Sequence, residues 1–179
     1  MKGGRLNVLR IFLFFCIAFL IFTSLFDIKK VSGHSMLSSF KDRQLLLIFK
    51  KMYGIRLPWK KGYFVRWARV EKGDVVLFKI GGRYVIKRCY ANDKDSIYFY
   101  KKKEEGMLKY SMKVDDVEFS LDRDAYYRLF IDAEKDVTLQ RIPQGCLLLL
   151  GDNANESFDC RDYGYVTQDS ILGKVLKWK

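Results

Sequence analysis

From Ile11 to Phe26 the chain places sixteen uncharged residues in a row, IFLFFCIAFLIFTSLF. The run is apolar on every face, which predicts a helix in lipid rather than one packed by a single stripe. As a helix it would span about 24 Å at ~1.5 Å per residue, slightly less than the ~30 Å hydrocarbon core. Val8, Leu9 and Ile28 lengthen it, with Arg10 reaching back to the headgroups. The pattern therefore predicts a membrane anchor over residues 11–28 behind a short N-terminus, residues 1–10. A cleaved signal would have a shorter apolar stretch and end at small residues. Here the run ends in Leu25-Phe26-Asp27-Ile28-Lys29-Lys30. Lys2, Arg5 and Arg10 precede it, whereas Asp27, Lys29 and Lys30 follow it. That bias predicts an N-terminus in the cytoplasm and an extracytoplasmic remainder from about Lys29 onward.

The pattern beyond the anchor changes to short β-type runs. Gly73-Asp74 reads as a turn leading into Val75-Val76-Leu77-Phe78, a β-branched and aromatic strand. Gly81-Gly82 predicts a hairpin, with Tyr84-Val85-Ile86 returning and ending at Lys87-Arg88. Cys146 to Leu150 is wholly apolar, as a buried strand would be, and stops at the turn cluster Gly151-Asp152-Asn153. Residues 41–52 stay open between strand and a short helix, with no clear period. The stretch from about 90 to 140 alternates in patches such as Ile97-Tyr98-Phe99-Tyr100. The expected architecture is mainly β: one transmembrane helix, then an all-β domain with a small β insertion. Its expected parts are residues 29–90, an insertion at 91–144, and residues 145–179.

Composition narrows the field. The 179 residues are 49% hydrophobic and carry a formal charge of +12, enough apolar content for a packed core. The positive charge is spread along the chain and suits an anionic membrane surface. No zinc-finger spacing, basic zipper or RNA-binding aromatic signature accompanies it, so nucleic acid is not an expected partner. Cys16 lies in the apolar run. Cys89, Cys146 and Cys160 make an odd number with no metal spacing, and are read as small half-buried thiols. No metal or cofactor is expected.

The candidate chemistry starts from one histidine. His34 is the only one, and its neighbour Ser35 would point to the opposite face of an extended segment. A local Ser-His pair is therefore not expected. A serine hydrolase can instead use a neutral lysine as base, which burial among apolar side chains provides. Lys87, directly after an apolar strand, has that context.

Five segments in order carry a family resemblance. Ser32-Gly33-His34-Ser35-Met36 resembles the G-x-S-M motif of bacterial type I signal peptidases. Tyr53-Gly54-Ile55-Arg56-Leu57-Pro58 is similar to Y-G-x-[RK]-x-P. Lys72-Gly73-Asp74-Val75-Val76-Leu77-Phe78 resembles [RK]-G-D-[IV]-V-x-F, and Val85-Ile86-Lys87-Arg88 resembles [YV]-[IV]-K-R. Gly151 to Arg161 resembles G-D-N-x-x-x-S-x-D-S-R. The match continues in Gly164-Tyr165-Val166 and Ile171-Leu172-Gly173-Lys174.

The resemblance implies a Ser/Lys serine endopeptidase that removes signal peptides from preproteins after an A-x-A-like site. It would be single-pass in the cytoplasmic membrane, with the phospholipid membrane as a partner, without cofactor, and monomeric. Ser35 would be the nucleophile and Lys87 the general base. Ser157 would orient the lysine, and Asp159 with Arg161 would brace the site. Gly33, Met36 and Arg88 would support it. Gly151, Asp152 and Asn153 are read as turn chemistry only. The substrate would bind extended, along a strand edge near the nucleophile. Trp59 and Trp67 are open between core packing and a membrane-resting patch.

The sequence departs from the family pattern at several points. Ser38-Ser39 replace Pro-Thr after the S-M motif. Tyr90 to Asp95 replaces a G-x-P-G-D turn, and Cys160 replaces a serine. Gly33 stands where some members have a serine that assists the oxyanion. A catalytically silent homologue, a Ser/Lys peptidase for a dedicated surface or pilus precursor, and a membrane-tethered binding module stay open on sequence alone.

Overall fold

The computed structural model describes residues 2–57, 62–130 and 137–176. Pro58 and Trp59 lie outside these. The apolar run forms helix α1, Lys2–Leu25, of which Asn7–Leu25 is long and apolar enough to cross a membrane and is unburied by the rest of the protein. The helix ends earlier than its hydropathy suggests. Phe26–Lys30 is strand β1, so Ile28 pairs with Leu47 instead of extending the helix. Two contacts fix that exit. The Lys50 backbone N–H donates to the Leu25 carbonyl at 2.8 Å. Phe26 sits between the rings of Phe22 and Phe49, each 5.2 Å away.

Residues 41–52 are not helical. They contain β2, Leu45–Phe49, whose side chains alternate between buried and more exposed positions. The period of two in Leu46 and Ile48 outweighs the weak helical pattern. After the short pair β3, Gly54–Ile55, and β4, Val65–Arg66, the predicted hairpin appears as β5, Val75–Ile80, and β6, Arg83–Asn92. Strand β6 runs four residues past Arg88. Tyr90-Ala91-Asn92 therefore continue the strand beyond its expected end at Lys87-Arg88, and the chain reverses at Asn92–Asp95.

The middle of the chain forms β7, Ser96–Glu104; β8, Met107–Val114; β9, Val117–Leu121; helix α2, Arg123–Leu129; and β10, Val137–Arg141. Helix α2 was not expected. Asp122 caps it by accepting a 2.7 Å bond from the Ala125 N–H. The chain closes with β11, Cys146–Leu150; helix α3, Cys160–Tyr163; β12, Val166–Thr167; and β13, Gly173–Leu176.

One sheet has the order β1-β2-β13-β5-β6-β11-β12, and a second has the order β10-β7-β8-β9. The main core runs across both sheets, joining Phe99, Met112 and Tyr126 to Leu147–Leu150 and Cys89. A smaller core gathers Val31, Met36, Phe40, Leu46, Ile48, Val75, Leu77 and Val175. The four cysteines are free, Cys89 and Cys160 being buried and Cys146 half-buried. Burial pushes the Cys89 thiol up to about 12, which makes it an inert packing group.

Candidate active site

Strand alternation places Lys87. On β6 the side chains of Lys87, Cys89 and Ala91 share the buried face, and Lys87 is only 2% exposed. Opposite it in register is Val76 of β5. Burial lowers the Lys87 amine from its ordinary 10.5. Asp159 pulls the other way and Arg161 opposes Asp159. Desolvation wins, so the amine loses its proton below the usual lysine range.

A short relay holds that amine. Lys87 Nζ donates to Ser157 Oγ at 2.8 Å, and Ser157 Oγ–H donates to Asp159 Oδ2 at 2.6 Å. The only hydroxyl proton of Ser157 is thereby committed to Asp159, and its lone pair receives the lysine. Asp159 is fully buried and also accepts from the Gly151 N–H at 3.0 Å and from Arg161 Nε and Nη2 at 3.0 and 2.9 Å. Burial alone would raise this carboxyl, but the donors from Arg161, Ser157 and Gly151 hold it below its ordinary value. Asp159 caps α3 as well, in a capping box with Asp162. A rigid helix end thus fixes the carboxylate.

Ser35 sits on a tight turn, not on an extended segment, so the geometric reason for setting His34 aside was wrong. The turn is closed by Leu37 N–H to the His34 carbonyl at 3.1 Å and Phe40 N–H to the Met36 carbonyl at 2.8 Å. His34 is nonetheless exposed and pairs with Glu156 at 3.3 Å. Met36 and Phe40 bury themselves in the smaller core and root the turn. Gly33 has φ +94° with open space where a Cβ would stand. A serine at this position would be strained by its backbone, not by crowding.

The Gly151-Asp152-Asn153 segment does more than turn. The Asn153 N–H donates to the Ser35 carbonyl at 3.0 Å, and its side-chain amide donates to the His34 carbonyl at 3.2 Å. Asp152 accepts from Arg88 Nε at 2.8 Å and Nη2 at 2.7 Å, and from Ser39 Oγ at 2.5 Å. Arg88 Nη2 also donates to Ser39 at 2.8 Å. The hydroxyl at position 39 ties the far end of the turn to this ion pair. A Cβ on Gly151 would overlap Ser157 Oγ and lie 2.6 Å from the Ser35 carbonyl oxygen. Gly151 therefore lies against both the serine turn and the relay. Gly151, Asp152, Asn153 and Ser39 were missed as site residues; the signal available was their position within the matched motifs.

Ser35 and Lys87 line one cavity of about 470 Å³, with Gly33, Met36 and Phe158 on its wall. Two strand edges flank it. Among the described residues β1 pairs only with β2, and β11 covers only the Arg88–Asn92 part of β6. Among the described residues, no strand pairs with Arg83–Lys87 on that side. Such a cavity can take an extended peptide between the two edges, with the Ser35 hydroxyl and the Lys87 amine on its wall. The described residues hold no group of three or more His, Cys, Asp or Glu placed to bind a metal ion. Trp67 is 56% exposed beside Phe64 and Val65 and is not a core residue.

The chain is 29% identical over 147 residues to a signal peptidase I of Bacillus caldolyticus, covering 81% of this chain and 74% of that one. It is 23% identical to a signal peptidase I of Buchnera aphidicola subsp. Schizaphis graminum, covering 91% of this chain and 70% of that protein. The family model described as "Signal peptidase, peptidase S26" matches residues 5–178. A match of that extent leaves four residues outside it at one end and one at the other, and on it the chain belongs to the peptidase S26 family of signal peptidases.

Proposed function

We propose that this peptidase is a Ser/Lys endopeptidase that cleaves exported preproteins after an A-x-A-like site on the extracytoplasmic side of the membrane. The observation that carries the reading is the buried Lys87 amine, oriented by Ser157 and sharing a cavity with Ser35. With one N–H given to Ser157, the Nζ lone pair is free to take the Ser35 proton. Ser35 Oγ then attacks the scissile carbonyl, and the developing oxyanion is met by the Ser35 backbone N–H. Lys87 returns the proton to the departing amine, leaving an ester on Ser35. It next removes a proton from water, which attacks the ester; the acid product leaves and Ser35 recovers its proton. The open edges of β1 and β6 suit a substrate segment bound as an added strand. The sequence bias of positive charge before α1 supports the orientation.

The test is processing of a preprotein by the full chain in phospholipid vesicles, with the new N-terminus of the product sequenced. Cleavage directly after a small-x-small triplet is expected. An intact preprotein, or a cut elsewhere, would overturn the reading.

Arg161 supplies a pH prediction. Its cation opposes the pull of Asp159 on the Lys87 proton. Arg161→Gln leaves Asp159 uncompensated, so the Lys87 pKa rises and less of the amine is neutral near pH 7. The acidic limb of the kcat–pH profile should move to higher pH, with part of the lost rate recovered in alkali. An unmoved limb would mean that Arg161 acts on folding alone.

A further inference from the structure

Where α1 ends, a second cavity of about 270 Å³ opens, lined by Ser24, Asp27, Lys50, Lys51, Arg56 and Tyr84 among others. Among the described residues that line it the one acid is Asp27, which pairs with Lys29 at 3.0 Å. Two of its cations, Lys50 and Arg56, meet neutral groups. Lys50 Nζ donates to the Thr23 carbonyl at 2.5 Å, closing the negative end of the helix. Arg56 donates to the backbone carbonyls of Asp169 and Ile171 and stacks over Tyr63. Lys29 and Lys79 both lie over the Tyr84 ring, at 4.8 and 5.0 Å. Three cations, Lys50, Lys51 and Arg56, thus line the cavity with one carboxylate among the described residues, and two more lie over the Tyr84 ring on its wall.

The position of this cavity selects its ligand. Thr23, Ser24 and Leu25 are the last turn of the apolar helix, and Phe22 on the turn before is exposed. A group entering from the membrane would run its chains along Phe22 and the helix flank and carry its head to the cations. We infer that this cavity is a binding site for the phosphate of an anionic phospholipid in the leaflet at the C-terminal end of α1. Lys50, Lys51 and Arg56 meet the phosphate, Ser24 and Tyr84 offer hydroxyls, and Lys29 and Lys79 add field. The inference goes beyond the peptidase reading. It rests on α1 lying in a bilayer and does not depend on Ser35 or Lys87.

The test uses full chain in phosphatidylcholine vesicles with spin-labelled phosphatidylglycerol or phosphatidylcholine as probe. Wild type should hold the anionic lipid over the neutral one by about tenfold, since each basic residue near the surface adds several-fold. Lys50→Gln with Lys51→Gln should erase most of that preference, and Lys51→Gln alone should give an intermediate loss. Lys102→Gln with Lys103→Gln, the same charge change on the second sheet, should leave it in place. Millimolar inorganic phosphate should not displace the lipid. Retained preference in the Lys50/Lys51 variant, equal loss in the Lys102/Lys103 variant, or displacement by phosphate would each overturn the proposal. Preprotein cleavage in detergent by the Lys50/Lys51 variant, expected at the wild-type rate, establishes that it is folded. Wild-type lipid preference with no cleavage would instead reject the peptidase reading alone.

Discussion

Lys87→Met should abolish cleavage and make the protein more stable at neutral pH. The activity loss follows from the proposed mechanism: without the amine, the base assigned to the Ser35 proton is gone. Ser35→Ala removes the other half, and each change should lower kcat by about 10⁴-fold or more. The double variant should be little worse than either single one, because the two residues act as one unit. The stability gain follows from burial. Lys87 is 2% exposed, and its proton affinity is lowered in the fold by desolvation. Between the folded pKa and the ordinary 10.5, the unfolded chain binds a proton that the native state does not. Stability therefore rises with pH across that window, and the penalty is fully present below the folded value. Methionine has nearly the same shape and no proton to bind. Its gain should be about 1 kcal/mol or more at neutral pH and should shrink as pH approaches 10.5. Thermal unfolding in detergent across this range reads it. A gap that does not change with pH would show that Lys87 is not held neutral by burial.

Much of this arrangement was legible because its parts are local. The apolar run, the Gly81-Gly82 hairpin and the Cys146–Leu150 strand are carried by patterns a few residues long, and the folded chain has them. What the pattern left open or misassigned depended on partners far along the chain. Leu45–Phe49 becomes strand because β1 on one side and β13 on the other supply ladders. Tyr90–Asn92 stay in β6 because Leu147 and Leu148 of β11 pair with Asn92 and Ala91. Ile28 leaves the helix because Leu47 pairs with it.

The site divides in the same way. Ser35, Lys87, Ser157, Asp159 and Arg161 were proposed from motif resemblance, and the fold brings the last four into one hydrogen-bonded chain. Their chemical roles rest on the proposal. The contribution of Gly151-Asp152-Asn153 was not legible, since a turn cluster of that composition has a sufficient local explanation. Only the placement of the Ser35 turn against it, more than a hundred residues earlier in the chain, reveals a clamp. Ser39 was likewise read as a departure from the family motif, yet its hydroxyl joins Arg88 and Asp152.

Gly151→Ala should cost at least about 100-fold in kcat, a loss expected when reacting groups are displaced by about 1 Å. The reason is space, because Gly151 is not among the residues of positive φ. The added Cβ would overlap Ser157 Oγ and stand 2.6 Å from both Ser157 Cβ and the Ser35 carbonyl oxygen. Those two neighbours belong to the two halves of the site, so relief in either direction damages it. If Ser157 retreats, the 2.8 Å bond that orients Lys87 lengthens. If the Ser35 turn retreats, it pulls on the Asn153 N–H that holds its carbonyl at 3.0 Å. Overpacking of this kind should also lower stability by roughly 1–3 kcal/mol. Gly145→Ala is the control, because a Cβ there meets nothing within 4 Å although the backbone is left-handed. It should lose some stability and keep its kcat. Kinetics on the folded fraction separate the two effects. If Gly151→Ala keeps kcat within threefold of wild type, the serine turn and the lysine relay do not meet at this glycine.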